Sequence, residues 1–258
     1  MNLLKYSLYA SIWIFLISLT TSCTLSISNQ SDEASEELLN LYLDKALSLK
    51  DHIPDSAILY SEKAFSLAKE LSSDEDFARS SLIIAEISFE KGEYRKANAY
   101  LVETINVQTL YSKAKDLGNA YSLKGRIYQK NGQMDKAKAN YLRALNQFNA
   151  ANDSAGIAKT YGNIGHMFEK SSAYDSAMYF NLKAKKLYQN LSDSLGLAKI
   201  YDNIGSVYED IGAYLKARDN FEKGYLINIR TKNYADALIN LNNVADTYRK
   251  TGDYSTAL

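Results

Sequence analysis

The sequence predicts an all-α protein built as a solenoid of stacked helical hairpins, and three observations lead to this prediction. The 258 residues include one proline, Pro54, and 21 tyrosines, which suits long uninterrupted helices packed through aromatic side chains. No stretch shows the sustained alternation of apolar and polar residues, bounded by turn residues, that is typical of a strand. Finally, the chain repeats itself with a period of 40 residues.

The repeat is clearest where residues stay small or aromatic from one copy to the next. An alanine column consists of Ala57, Ala97, Ala137, Ala177, Ala217 and Ala257. A second small column consists of Ala85, Gly125, Gly165, Gly205 and Ala245. An aromatic column consists of Tyr128, Phe168, Tyr208 and Tyr248, with Ser88 beside Phe89 in an earlier copy. Units repeated at this interval must stack, because a single unit cannot bury its own apolar face.

Each copy is predicted to fold as a helical hairpin. In one copy the first helix presents an apolar face at helical spacing, formed by Tyr201, Ile204, Gly205 and Tyr208. Gly212 then ends this helix, because glycine adopts the left-handed conformation after a helix at little cost. The second helix presents its own face, formed by Ala217, Phe221 and Gly224. Small residues in these faces allow the two helices to approach closely, and Tyr208 fills the space between hairpins.

This pattern resembles the tetratricopeptide repeat, in which an aromatic residue, Leu, Gly and Tyr on the first helix are followed by Ala, an aromatic residue and Ala on the second. A matching copy consists of Tyr121, Gly125, Tyr128, Ala137, Tyr141 and Ala144. The resemblance covers residues 38–258 and implies a right-handed α-solenoid. The period departs from the usual value of about 34 residues, and no proline closes the second helix. The longer repeat is similar to that of kinesin light chain and of many bacterial sensory and regulatory proteins.

We place the repeats at regular boundaries, with a partial copy at the end: 38–77, 78–117, 118–157, 158–197, 198–237 and 238–258. The loops between copies read "SSDED", "AANDS" and "LSDSL", which favours turns and helix N-caps. The last copy stops where its second helix should begin, without the polar capping helix that usually ends a solenoid. We therefore expect the natural polypeptide to continue past Leu258, and a frayed natural end is the alternative.

The first 22 residues have the organisation of a secretory signal peptide. A short segment with Lys5 precedes an apolar run from Leu8 to Leu19, and small polar residues follow before Cys23. An ordinary cleaved signal peptide and an uncleaved membrane anchor are both compatible with this pattern, although the apolar run is shorter than the roughly 20 residues that span a bilayer.

The residues "LTTSC" before and including Cys23 resemble the lipobox of bacterial lipoproteins, although Thr20 stands where that pattern prefers Leu. The resemblance implies that Cys23 becomes the diacylated N-terminus, so that the protein is exported and membrane-anchored, on the periplasmic side or at the bacterial cell surface. Residues 23–37 are rich in serine and acid and have no apolar stripe, which predicts a flexible tether.

Three asparagines recur at the repeat interval, each directly before an apolar residue of the packing face: Asn163, Asn203 and Asn243. In tetratricopeptide repeats the first helices line the concave face, and asparagines at this position bind the backbone of an extended peptide. A carboxamide suits this role because it both donates and accepts hydrogen bonds. The resemblance therefore implies a peptide-binding ladder. The alternative is that these side chains pack against a neighbouring hairpin and satisfy one another.

Charged residues of both signs are predicted beside this ladder. We assign to the same peptide-binding surface Lys159, Lys199, Arg126, His166, Glu169 and Glu209. A groove of mixed sign favours a partner that carries both charges over a single highly charged ligand. The whole chain has 30 basic and 30 acidic residues, so its composition does not favour nucleic acid as a partner.

No pattern in the sequence indicates catalysis or a cofactor. A phosphate-binding loop, a zinc-protease motif and a nucleophile elbow are all missing, and one cysteine with two histidines does not suit a metal site. The sequence thus favours a non-enzymatic scaffold that binds a peptide or protein. The alternative is the extracytoplasmic sensory domain of a signalling protein, such as a histidine kinase or a DNA-binding regulator.

Overall fold

The computed structural model describes residues 33–111 and 114–253, without the side chains of 107–111. Within these residues the chain is helical throughout apart from short turns, and it contains no strand. The helices are α1 (33–49), α2 (Pro54–Glu70), α3 (Asp74–Glu90), α4 (Tyr94–Tyr111), α5 (Ala114–Lys130), α6 (Met134–Ala150), α7 (Ser154–Lys170), α8 (Tyr174–Asn190), α9 (Ser194–Asp210), α10 (Tyr214–Arg230) and α11 (Tyr234–Lys250). The predicted all-α class is confirmed. None of the described helices is both long and apolar enough to cross a bilayer.

From α3 onward the helix starts repeat with the 40-residue period, and each first helix begins four residues before the boundary placed from the sequence. N-caps explain the earlier start of α7 and α9. Asp153 accepts a hydrogen bond from the backbone N–H of Gly156 at 3.0 Å, and Asp193 accepts one from Gly196 at 2.9 Å. Such a cap satisfies a donor that the first helical turn leaves free. The loop before α3 differs, because Ser73 donates to the Asp76 carboxylate instead of capping the backbone.

Helix α1 begins at residue 33, so residues 33–37 of the predicted tether are helical. Glu33, Glu36 and Glu37 lie in its first turns, where the helix dipole favours negative charge. The predicted signal peptide, Cys23 and the rest of the predicted tether lie outside the described residues.

The turns after α3, α5, α7, α9 and α11 use the left-handed backbone conformation predicted for Gly212, whose φ is 76°. Its N–H donates to the carbonyl of Glu209, and the N–H of Ala213 donates to that of Tyr208, so two free carbonyls at the helix end are satisfied. Ser172 stands in the same place between α7 and α8 and adopts φ 56° without being glycine. The hairpin turn is therefore kept even where its usual residue is lost.

The chain divides into two compact units, Met1–Val107 and Gln108–Leu258, called here unit 1 and unit 2. The core of unit 1 is apolar and joins its first three helices. Leu39 and Leu43 of α1 pack with Ala57 and Ala64 of α2, and Ile83 of α3 closes the same cluster.

In unit 2 the internal first helices, α7 and α9, contact the helices on both sides of them in the chain. Helix α7 packs against α6 and α8, and α9 packs against α8 and α10. The first helices also contact one another, α5 with α7 and α7 with α9, whereas no comparably close pairing joins the described helices α6, α8 and α10. The first helices of unit 2 therefore form a continuous inner layer, and the second helices form a more open outer layer.

The two helices of a hairpin meet where a glycine of the first faces a large side chain of the second. A Cβ atom added at Gly205 would lie 2.5 Å from the ring of Phe221, and one added at Gly125 would lie 2.6 Å from the ring of Tyr141. Both rings are fully buried. Glycine is thus required at these positions for close approach, as the repeat pattern predicts.

Replacing Gly205 by Ala tests this contact. In an ordinary helix the change stabilises by about 0.5–1 kcal/mol, but here the new methyl group must displace the buried ring of Phe221. We expect a loss of about 1–3 kcal/mol in the free energy of unfolding, measured by urea denaturation. Ser206→Ala, at the next and half-buried residue of the same helix, is the control. A stabilised Gly205→Ala protein would contradict the assigned contact.

Helix α11 is joined to the rest of unit 2 by polar contacts as well as by the packing of Val244 against Phe221. The side-chain amides of Asn240 and Asn243 both donate to Asp202 Oδ1 of α9, at 2.9 and 3.0 Å. The carbonyl oxygen of Asn240 accepts from Asn228 of α10 at 2.8 Å. Burial raises the pKa of Asp202, and the nearby carboxylates of Asp236 and Glu169 act in the same direction, while the two amides partly oppose them.

The raised pKa of Asp202 predicts that its ionisation destabilises the folded state. The contribution of the protonated group is complete below the unfolded pKa of about 3.9 and is lost as the pH rises through the folded pKa. We therefore expect Asp202→Asn, which keeps an acceptor for both amides, to raise the Tm at neutral pH and to leave it unchanged below about pH 3.5. Asp210→Asn, at an exposed carboxylate of the same helix, is the control. An equal gain at both pH values would refute the electrostatic explanation.

Candidate functional site

The candidate site is the inner layer of unit 2, formed by α5, α7, α9 and α11. The binding residues predicted from the sequence all belong to these four helices. The three asparagines are half-buried, a position in which a side chain is fixed by its neighbours but still reaches the surface. Successive asparagines lie on successive first helices, one hairpin apart.

Each asparagine donates its side-chain amide to the preceding hairpin. Asn163 donates to Ser122 Oγ at 3.3 Å, and Asn203 donates to the carbonyl of Gly162 at 3.4 Å. Asn243 donates to Asp202 at 3.0 Å. The amide nitrogens therefore link neighbouring first helices, which is the geometry expected from the alternative that they pack against a neighbouring hairpin.

The carbonyl oxygens of the same asparagines accept no hydrogen bond from the described part of the chain. The bonds made by the Asn163 and Asn203 amides are also long compared with the usual 2.9–3.0 Å of an N–H···O bond. These two side chains can therefore accept from a backbone N–H of a ligand without losing a strong internal bond. Asn243 differs, because its amide is engaged with a carboxylate.

The predicted charged residues are largely paired inside the protein. Glu169 has a side chain only 3% exposed and accepts from His166 Nδ1 at 3.0 Å and from Lys170 Nζ at 2.9 Å. Burial would raise the pKa of Glu169, but these two hydrogen bonds more than offset it and hold the pKa below its usual value. Glu169 therefore acts as an internal anchor, and His166 and Lys170 present the accessible atoms at this place.

The other charged residues of the predicted set lie at separate points of the layer. Glu209 accepts from Lys250 of the following first helix at 2.8 Å, so this pair also ties two hairpins together. Arg126 is half-buried in α5, near the hydroxyl of Tyr141, and Lys159 and Lys199 are exposed on α7 and α9. The inner layer thus carries both signs of charge, without a concentration of either.

Two functional side chains were missed from the sequence. Asp202 stands in the column of Ser122 and Gly162, where it is the only one of the three with a charge, and that break in the column is the signal that could have revealed it. Asn181 likewise stands where Tyr141 and Phe221 fill the hairpin contact. It is fully buried, its Nδ2 has no partner within the described residues, and its Oδ1 lies 3.5 Å from Asn203 Nδ2.

Within residues 33–111 and 114–253 no group of three or more His, Cys, Asp or Glu side chains is arranged to hold a metal ion. The lipidation site predicted at Cys23 lies outside these residues. What the inner layer offers chemically is a row of amide acceptors flanked by His166, Lys170 and exposed lysines. Such a surface suits hydrogen bonding to a polypeptide.

Comparison with known proteins gives the same fold. Family models described as tetratricopeptide repeat match residues 116–190 and 198–228. BtubC from P. vanneervenii is 21% identical, with a TM-score of 0.59 and 87% of each chain covered. The apo form of RapI is 16% identical, with a TM-score of 0.70, over 86% of this chain and 79% of RapI. A Rap protein complexed with Competence and Sporulation Factor is 14% identical, with a TM-score of 0.57, over 87% of this chain and 66% of that protein.

No curated protein matches the sequence significantly. The matched residues 116–190 and 198–228 begin near the start of α5 and extend into α10, so they cover the hairpins that contribute α5, α7 and α9 to the inner layer but not α11. The small and aromatic columns, the paired helices and the solenoid neighbours all agree with these matches. Residues 116–190 and 198–228 are therefore tetratricopeptide repeats, and the described residues have the fold of a tetratricopeptide-repeat solenoid.

Proposed function

We propose that this protein is a non-enzymatic scaffold that binds an extended peptide segment of a partner protein on the inner layer of unit 2. The observation that carries the proposal is the half-buried position of Asn163 and Asn203, with carbonyl oxygens that no described donor occupies. A peptide backbone laid across α7 and α9 can donate to both oxygens. This contact does not depend on peptide sequence, because every residue except proline has a backbone N–H.

Specificity comes from the charged residues beside the asparagines. His166 and Lys170 lie next to each other on α7, and Lys159 and Lys199 extend the basic side of the layer, whereas Asp202 and Glu209 supply acid on α9. A partner that carries both signs of charge fits this surface better than a polyanion. The complex of a Rap protein with Competence and Sporulation Factor supports the idea that this fold can bind a partner.

We further propose that the scaffold is held at a membrane by lipid on Cys23. The support is the apolar run from Leu8 to Leu19 followed by small residues and a single cysteine. Residues 23–32 would then connect the lipid to the first helix, α1. A tether of this length leaves the inner layer free to meet a partner near the membrane surface.

Alanine substitution of Asn163 and Asn203 tests the binding surface. Peptides selected from a random display library on the wild-type protein serve as the probe, and their affinity is measured by fluorescence anisotropy. We expect the double variant to bind the selected peptides about tenfold more weakly, because two hydrogen bonds of about 0.5–1.5 kcal/mol each are lost. Its helical content should stay unchanged, since the internal bonds that are lost are long.

The matched control replaces Asn149 and Asn190 by Ala, two exposed asparagines of the outer layer. This variant should bind the selected peptides as the wild type does. Unchanged affinity of the Asn163→Ala, Asn203→Ala protein, or an equal loss in the control, would show that the inner layer is not the binding surface.

Metabolic labelling tests the membrane anchor. A bacterial host that expresses the full chain and is fed an alkyne fatty acid should label the wild-type protein and recover it in the membrane fraction. The Cys23→Ser variant removes the sulfur atom that carries the diacylglycerol, so we expect no label and release into the soluble fraction. Label that persists in Cys23→Ser would exclude this cysteine as the lipid site.

A further inference from the structure

The outer side of unit 2 contains a second regular feature, made of aromatic rings and cations. Between α8 and α10 the surface forms a groove whose floor is α9, since α9 contacts both of these helices. The half-buried ring of Tyr201 lies in this floor. Lys185 Nζ of α8 is 4.8 Å from the ring centre and Lys223 Nζ of α10 is 6.0 Å from it. Further along the floor, Lys216 Nζ lies 5.5 Å from the ring of Tyr208.

The neighbouring groove, between α6 and α8, repeats this arrangement over α7. Lys183 Nζ is 5.3 Å from the ring of Tyr161, and Lys138 Nζ is 5.7 Å from the ring of Phe168. Lys183 and Lys223 are separated by one 40-residue repeat, as are Tyr161 and Tyr201. We call these two surfaces the outer grooves. One lysine–tyrosine pair thus recurs with the period of the fold, so a ligand that extends along the stack meets a cation over a tyrosine ring in both grooves.

The cations of the outer grooves keep their charge available to a ligand. Within the described part of the chain, Lys138, Lys183, Lys185 and Lys216 form no ion pair, whereas Lys223 pairs with Asp219 at 2.6 Å. A cation over an aromatic face is attracted to the ring but is not neutralised by it. An anion that enters a groove therefore finds ammonium groups already held in place by the rings.

Helices α6, α8 and α10 border the outer grooves and form the ridges between them. The side chains on these ridges determine which class of anion can bind in a groove. Acidic side chains are exposed on these ridges, among them Asp135, Asp175 and Glu222, and so are the apolar side chains Leu182 and Leu226. A nucleic acid carries a charge at every step of its backbone and would meet the ridge carboxylates. A peptide with carboxylates spaced by apolar residues avoids this repulsion and can contact the exposed leucines.

We propose that the outer grooves of unit 2 form a second binding surface, for an acidic peptide segment in which carboxylate and apolar side chains alternate. The carboxylates bind between the lysines over Tyr161 and Tyr201, and the apolar side chains contact Leu182 and Leu226. The grooves use a different face of α7 and α9 from the one that carries Asn163 and Asn203, because Tyr161 and Tyr201 lie two positions earlier and so about 200° away around the helix. One protein can therefore engage two partner segments at once.

The test uses the full chain and a short fluorescein-labelled peptide of alternating Glu and Leu, with an alternating Gln and Leu peptide as the uncharged counterpart. We expect the Glu peptide to bind with an affinity that falls as salt is added, and the Gln peptide to bind at least tenfold more weakly. Lys185→Gln with Lys223→Gln should weaken binding of the Glu peptide about tenfold. Lys130→Gln with Lys232→Gln, which removes two cations from helix ends and turns, should change it less than twofold.

Lys138→Gln with Lys183→Gln gives the same test in the second groove if the first double variant fails to fold, as judged by circular dichroism. Several results would overturn the proposal: no binding of the Glu peptide, equal binding of the Gln peptide, or equal losses in the groove and control variants. Tighter binding of a single-stranded oligonucleotide of equal charge would instead assign the grooves to nucleic acid. Loss of the Glu peptide in the Asn163→Ala, Asn203→Ala protein would place it on the inner layer, which separates this proposal from the one above.

Discussion

The contact on which the rest of unit 2 depends is the crossing of the two helices within each hairpin. At Gly125 and Gly205 the backbone of the first helix lies directly against a buried ring of the second, closer than any side chain would allow. This approach fixes the distance between the inner and outer layers. It also leaves the rest of each first helix free to contact its neighbours, so the inner surface and the outer grooves both follow from the same glycine column.

Much of this architecture can be predicted from the sequence, because it depends on small and aromatic residues that recur at the 40-residue interval. The glycine and alanine columns give the helix crossings, and Gly212 gives the hairpin turn with its positive φ. The loops between hairpins were predicted as turns, but the positive φ of Asn152, Ser192 and Lys232 was not. Only asparagine among these three residue types visits this conformation readily, so the sequence does not show that Ser192 and Lys232 adopt it.

The candidate site was harder to predict, because it depends on which neighbour each side chain meets. The spacing of Asn163, Asn203 and Asn243 placed them on the inner layer, but only the structure shows that their amides reach back to the preceding hairpin. Glu169 was predicted as a surface charge and is buried against His166 and Lys170. The repeat period predicts on which face of a helix a residue lies. The pairing of charged side chains depends also on how neighbouring helices cross, which the period does not determine.

The buried amide of Asn181 has a consequence for how the stack moves. In a linear array each hairpin is stabilised only by itself and its nearest neighbours, so cooperativity breaks first at the weakest link. A buried amide nitrogen without a partner costs about 1–3 kcal/mol. The hairpin of α7 and α8 also lacks the buried ring that Tyr141 and Phe221 provide in the hairpins on either side. Among the internal hairpins of unit 2, local opening should therefore be easiest at α7 and α8, and hydrogen exchange there should be faster than in the hairpins on either side.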